Sequence, residues 1–397
     1  MTFAPIVPRA ATFSIDMESK QTLKIGFDAK RLFQNASGLG NYSRTLVKNL
    51  KTHFPQHEYH LFTPSVVNNE EARYFLEGGF HIHTPGRWTP KSWWRAFGIG
   101  PICKELDLDI FHGLSHELPW GMPQNGLKTV VTMHDLIYEV YPSFFKWHDR
   151  KLYRLKYKSA CNRADAVIAI SEATARDLIN LYEIPRNKIS VIFQSCAAVF
   201  QTEAPQVHLK KHFLYVGTIE ERKGMIDLVH SYAQLSDAEK KPVVVIGGGT
   251  DHLDEVKKVI RYYGLENQFE FKGKLPNAKL LEYYDQAIAL LLPSVYEGFG
   301  IPLAESLFRG VPVITSPFSA LPEAAGPGGL IVDPKDHKAL ANAMRSMLNE
   351  EVWNKLSEAG GTFVKQKFSS RSTAEELHRF YLTLLEITYQ KGSEARL

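Results

Sequence analysis

Two carboxylates and two bases carry the chemistry legible in this chain. Glu297 and Glu305 stand with seven residues between them in YEGFGIPLAES. Ionised carboxylates only accept hydrogen bonds, so they suit sugar and ribose hydroxyls better than phosphate. Arg222 and Lys223 lie in GTIEERKG, after an apolar run and ahead of a helical pattern. Donors of that kind at a helix start suit a diphosphate. Gly217 opens this loop, while Gly298 and Gly300 let backbone approach a ligand closely. Pro302 fits the first position of a helix, so N–H groups near Gly300 and Leu303, with the helix dipole, make an anion seat. Together these groups describe a nucleotide-sugar site. Each has a plainer reading. Glu305 would complement a helix dipole, Glu297 would be a solvated loop residue, and Arg222-Lys223 a solvated pair.

The elements that must position them are strands at the edge of a parallel sheet. The spacing predicts strands at Leu23–Asp28, His57–Phe62, Phe80–His83, Asp109–His112, Lys128–Met133, Ala166–Ile170 and Ile189–Ile192. Periodicity fails from Ala198 to Lys211, a linker, and strands resume at His212–Val216, Pro242–Ile246, Gln268–Phe271, 287–292 and Val311–Thr315. Helical patterns alternate with most of them, which is the mark of an α/β chain. The first strand leads to Ser37-Gly38-Leu39-Gly40, read as a loop before a helix from about Tyr42 to Leu50. That loop is either a glycine-rich turn or a reach toward donor phosphates or acceptor; no third glycine completes a dinucleotide fingerprint. Asp107-Leu108-Asp109 runs straight into an apolar strand and marks its entrance rather than a metal site. Ser171 is placed to cap a helix.

The string from Glu297 to Glu305, with GVPVITS, Pro322-Glu323 and GGLIVDP behind it, resembles the E-x7-E signature of the retaining glycosyltransferases of family GT4. The likeness covers nearly all the chain from about residue 22 and is strongest in the second half. It implies two Rossmann-like α/β domains facing across a cleft (GT-B). Residues 22–200 would form the acceptor side, 201–372 the donor side, and 373–397 a helix crossing back to the first domain. It further implies hexose transfer from a nucleotide-diphosphate sugar to a hydroxyl with retention, with no metal or other cofactor. Arg222 and Lys223 would neutralise diphosphate, Glu297 hold donor-sugar hydroxyls and Glu305 the ribose. Lys274-Leu275 would flank the nucleobase, and Gly298, Phe299, Gly300 and Leu303 would complete the donor seat. VVTMHDL resembles the family's HD turn, making His134 a contact to the transferred sugar, with Asp135 orienting it or capping the turn. His134-Asp135-Leu136 followed by Tyr141-Pro142 resembles bacterial polysaccharide mannosyltransferases and points to GDP-mannose. A nucleotide-sugar epimerase of the same fold and a non-catalytic nucleotide-sugar-binding module are the rival readings.

Composition sets the outer limits. The 397 residues suit two domains, and a net charge of +4 is too small for bulk nucleic-acid binding. Cys103, Cys161 and Cys196 lie far apart and read as reduced cytoplasmic thiols. Residues 1–21 lack a signal-peptide core, and Met17 stands just ahead of the first strand, so a disordered leader is expected there. Residues 86–104 place Trp88, Trp93 and Trp94 beside Arg87, Lys91 and Arg95. Residues 144–158 place Trp147, Tyr153 and Tyr157 among six bases. Such interleaving suits peripheral contact with an anionic membrane and a lipid-linked glycan acceptor, although core tryptophans and a solvated basic helix have the same pattern.

Overall fold

The apolar runs become strands buried on both faces, as parallel strands flanked by helices require. In the computed structural model these strands form two all-parallel sheets. Residues 22–67, 70–123, 126–205, 209–249 and 251–394 are described, with side chains as far as residue 386; the leader expected at 1–21 lies outside them. The first sheet comprises β1 (Lys24–Asp28), β2 (Glu58–Phe62), β3 (His81–His83), β4 (Ile110–Gly113), β5 (Lys128–Met133), β6 (Ala166–Ala169) and β7 (Ile189–Val191). Its order is β3-β2-β1-β4-β5-β6-β7. The second comprises β8 (His212–Val216), β9 (Val243–Ile246), β10 (Phe269–Gly273), β11 (Ala287–Leu292), β12 (Val313–Thr315) and β13 (Gly329–Ile331). Its order is β10-β9-β8-β11-β12-β13. Each order reverses once, between β1 and β4 and between β8 and β11. Loops diverge at such a point and leave a crevice at the carboxyl ends of the strands. The loops after β8 and β11 are the two that carry the bases and the first glutamate.

The expected strands agree with the observed ones to within one or two residues. β13 was not anticipated, because a half-exposed three-residue edge beginning in glycine has no apolar run to announce it. The first glycine loop needs correction. Gly38 and Gly40 belong to the first turn of the helix Gly38–His53, behind an extended Ser37. A Cβ on Gly40 would fall 1.7 Å from the Asn35 carbonyl oxygen, so the preceding turn demands glycine there. Asp109 accepts the Lys24 N–H at 2.7 Å, a structural use of the Asp-x-Asp pair.

The last helix, Ser370–Glu394, packs along Gly38–His53 of the first domain. There Tyr381 Oη lies 2.7 Å from His112 Nδ1, and His378 Nε2 lies 2.9 Å from His57 Nε2. The two segments that pass between domains are tied together. Gln201 Oε1 accepts the Ser370 N–H at 2.9 Å, and Arg309 donates to the Thr202 carbonyl at 2.9 Å.

Candidate active site

The loops after β8 and β11 are fastened to each other before they meet anything else. Val295 N–H donates to the Arg222 carbonyl at 2.8 Å. Gly224 has a left-handed φ of 68° and lies so close to Pro293 that a Cβ would approach its carbonyl oxygen to 2.2 Å. This lock puts Lys223 Nζ in a hydrogen-bonded ion pair with Glu297. Arg222 Nη1 stands 3.5 Å from the other Glu297 oxygen and donates to the Tyr296 carbonyl at 3.1 Å, while its Nε pairs with Glu220 at 3.0 Å. Burial pushes the Glu297 carboxyl up, but Lys223 and then Arg222 outweigh it and hold the group below the usual carboxylate range. Glu297 is therefore ionised at neutral pH. Two cations thus face two carboxylates, Glu297 and Glu220, so the cluster carries no formal surplus of positive charge.

The first domain meets this cluster through the turn after β5. A Cβ on Gly298 would fall 2.4 Å from the His134 carbonyl oxygen, so glycine there permits contact between domains rather than with a ligand. Asp135 accepts the Ile137 N–H at 3.2 Å and caps the turn. Burial raises its pKa, the Ile137 hydrogen bond and the Arg222 charge oppose the rise, and Glu297 adds to it. A cavity of about 520 Å³ opens between the domains, lined by Asp135 and Ile137 on one side and Glu220, Arg222, Tyr296 and Glu297 on the other. That size suits a small organic ligand. Along the same carboxyl edge a Cβ on Gly247 would fall 1.8 Å from the Gly217 carbonyl oxygen, and one on Gly248 3.0 Å from Lys274 Cε. Gly217 also faces Lys223 Nζ. Backbone and the Lys274 stem thus form a shallow bed over the ends of β8, β9 and β10.

The sequence meets known proteins on both sides of this cleft. A profile described as glycosyltransferase family 4 matches residues 36–194, and one described as glycosyl transferases group 1 matches residues 200–363. The chain belongs to the GT4 glycosyltransferases. The O-antigen chain mannosyltransferase B of Escherichia coli is 25% identical over 87% of this chain and 96% of its own length. A serotype-specific mannosyltransferase of E. coli is 26% identical over 77% of this chain, which spans only 40% of that relative. A solved glycosyltransferase structure from Rickettsia africae superposes with a TM-score of 0.70, at 17% identity over 92% of this chain and 99% of that one. The two-domain GT-B fold follows from that likeness and from the two sheets.

Within this GT4 enzyme the structure brings Arg222, Lys223, Glu297, Gly298 and Gly217 together, and leaves other expected residues apart. His134 is 4% exposed; its Nε2 donates to the Leu114 carbonyl at 2.9 Å, and its ring meets Tyr42 edge-on at 4.5 Å. Burial, with the neighbouring His116, pushes its pKa down to about 3, so the ring is neutral. Its place is beneath the cleft wall, and Asp135 is the residue of that turn that lines the cavity. The Phe299 side chain is not part of the donor seat either. It is buried between Phe193 and Phe368, with ring centroids 6.0 and 5.1 Å away. Leu303 is buried and its N–H already donates to Gly300 O at 2.9 Å, which takes it from the anion seat. Gly300, at φ 106°, is the N-cap of the helix Ile301–Phe308. Glu305, on that helix, accepts from Tyr284 Oη at 2.8 Å. Burial raises it to about 7, against a smaller lowering by the Tyr284 hydrogen bond. Leu275 packs on the core next to Lys274.

Spacing gave no sign of the residues that bridge the domains. Tyr296 Oη donates to Asp177 at 2.8 Å and accepts the Leu136 N–H at 3.3 Å. The Glu323 carboxylate accepts the N–H groups of Glu172 at 2.8 Å and Ala173 at 3.0 Å. It thus sits on the N-terminus of the helix Glu172–Tyr182, where a negative charge is favoured, above the Ser171 cap that accepts from Thr174 N at 3.0 Å.

Proposed function

We propose that this GT4 enzyme is a retaining mannosyltransferase that moves mannose from GDP-mannose to a hydroxyl of a glycan or lipid-linked glycan, without a metal or other cofactor. The reading is carried by the Glu297–Lys223–Arg222 cluster at the carboxyl ends of β8 and β11, facing Asp135 across the cavity. The names of the mannosyltransferase relatives support the choice of sugar. In the reaction the bond from the anomeric carbon to the diphosphate oxygen breaks, and a bond from the acceptor oxygen to the same face forms. The acceptor proton passes to the departing phosphate oxygen. Donors preorganised for the leaving group's growing charge supply much of such an acceleration. Arg222 and Lys223 fill that role, Glu297 accepts from the sugar hydroxyls, and Glu305 serves the ribose. Asp135 stands opposite, where an acceptor hydroxyl enters.

A turnover assay with several nucleotide sugars and a panel of glycan acceptors tests the reading, with NMR assignment of the new linkage. Mannosyl transfer from GDP-mannose with retained configuration is expected. An inverted linkage would sink the retaining mechanism, and turnover with another donor alone would sink the sugar. Conversion of donor without acceptor would mark an epimerase.

The acceptor side has a surface suited to a membrane-bound substrate on the cytoplasmic face. No helix among the described residues is long and apolar enough to cross a membrane, but Trp88, Trp93, Trp147 and Leu155 are exposed. Other members of the two aromatic-basic stretches are engaged elsewhere. Trp94 is buried, and Arg95 is clamped by Asp28 and Glu117. Arg150 donates to the Tyr138 carbonyl, and Arg154 pairs with Glu139. Sedimentation with anionic vesicles should therefore respond to Trp147→Ser and Lys151→Glu. Sedimentation equal to wild type in both would remove this surface from the contact, and no binding of wild type to anionic or neutral vesicles would leave a soluble acceptor.

A further inference from the structure

At the outer edge of the first sheet, away from the loops that form the cleft, four side chains share one face. Parallel pairing sets His60 opposite His81 and Phe62 opposite His83. Alternate residues along a strand point the same way, so Glu58, His60, His81 and His83 stand together. One ligating atom from each of Glu58, His60 and His81 lies within 4.8 Å of the others. The two outer members are exposed, and His60 is 4% exposed.

His60 shows what the cluster is arranged to hold. Its Nδ1 lies 3.1 Å from His83 Nε2, a hydrogen bond. Among the described residues its buried Nε2 has no hydrogen-bond partner; the carboxylate oxygen Glu58 Oε2 is 3.8 Å away, beyond hydrogen-bond reach. Were the proton on Nε2, a buried N–H would stand without an acceptor, which native proteins avoid. With the proton on Nδ1 and donated to His83, Nε2 presents a lone pair toward Glu58 and His81. A histidine whose other nitrogen is fixed by a neighbour is the ordinary arrangement of a metal ligand. Ring stacking, with centroids 4.7 Å from His60 to His81 and 5.3 Å to His83, accounts for the packing of the imidazoles. It accounts for neither the carboxylate beside them nor the unpartnered nitrogen.

We propose that Glu58, His60 and His81 bind a zinc ion, with His83 orienting His60 from behind. Two imidazoles and a carboxylate are a known zinc ligand set, completed by water in the fourth position. An imidazole-rich set disfavours Mg²⁺ and Ca²⁺, which take oxygen ligands. Zinc bonds of about 2.0–2.1 Å require Glu58 and His81 to draw in toward the fixed His60, and both have the exposure to do so. The ion would clip β3, an edge strand of three residues, to β2. From β3 the chain runs directly into the segment that carries Trp88 and Trp93.

The experiment titrates Zn²⁺ into the full chain, stripped beforehand with a chelator, by calorimetry, and repeats it with Co²⁺ to read the visible absorption of a bound ion. Wild type should take up one ion at this site and rise in Tm on loading. His81→Ala and Glu58→Gln, both at exposed positions, should lose that uptake and the Tm rise while keeping wild-type circular dichroism. His83→Gln should weaken binding by about 10–100-fold, the usual loss for a supporting partner. Uptake by His81→Ala or Glu58→Gln equal to wild type would overturn the site, as would absence of uptake by wild type.

Discussion

Glu297→Gln should tighten nucleoside diphosphate binding while it slows transfer. This carboxylate neutralises Lys223 by a direct ion pair and stands 3.5 Å from Arg222. A diphosphate entering beside those cations must share them with Glu297 and is repelled by it. At an effective dielectric constant of about 20, a carboxylate about 7 Å from a phosphate charge raises its energy by about 2 kcal/mol. Solvent in the cavity reduces this, so the gain expected from the amide is about 1.4 kcal/mol, roughly tenfold in Kd. The amide keeps shape but accepts hydrogen bonds less strongly, and losing a charge-assisted bond to a sugar hydroxyl costs about 1.5–3 kcal/mol. Transfer should fall accordingly, most of it in kcat. Calorimetry with GDP and steady-state kinetics with donor and acceptor read the two effects separately. A folded variant whose GDP affinity is unchanged or weaker would refute the placement of diphosphate beside Lys223 and Arg222.

Lys223→Ala or Arg222→Ala should raise the barrier to turnover by about 2–4 kcal/mol, the scale for one preorganised donor; near-normal kcat in both removes this loop from the reaction. Glu305 gives a pH dependence of stability. Its folded pKa of about 7 lies above the ordinary 4.5, so its contribution is complete below about pH 4.5 and is lost as pH rises through about 7. Wild-type Tm should therefore fall relative to Glu305→Gln across that window, and parallel curves would contradict the assignment. Glu323→Ala should accelerate amide hydrogen exchange at Glu172 and Ala173, whose N–H groups it accepts. The global cost is expected to be about 1–2 kcal/mol, that of a lost helix cap. Unchanged exchange would mean that this contact does not hold the domains together.

What could be read in the sequence was whatever local pattern encodes. β8 and β11 are largely apolar runs, and their ends fixed the loops that bear Arg222, Lys223 and Glu297. Spacing could not tell which side of a turn a side chain takes. His134 and Asp135 are adjacent in sequence, yet one is bonded beneath the wall and the other lines the cavity. Gly298 has the composition of a ligand loop, but its neighbour is a carbonyl contributed from more than 160 residues away. The same limit hid the Tyr296–Asp177 and Glu323–Glu172 contacts, whose partners share no element. Trp94 and Arg95 resembled their exposed neighbours because a short irregular helix has no period long enough to assign faces.

The return of the last helix has a consequence for synthesis on the ribosome. Tyr381 and His378 complete a surface whose other half, His112 and His57, is translated hundreds of residues earlier. The first domain therefore emerges with a seam open, and waits for the whole second domain to be made before the closing helix is available. Domains of nascent chains usually fold in order of emergence. Here the second domain has all six of its strands in hand first, and the segment that finishes the older domain arrives tethered to the younger one. A stop codon just after Phe368 would thus leave its defect in the first domain, at Tyr42, His57 and His112, and spare the β8–β13 sheet.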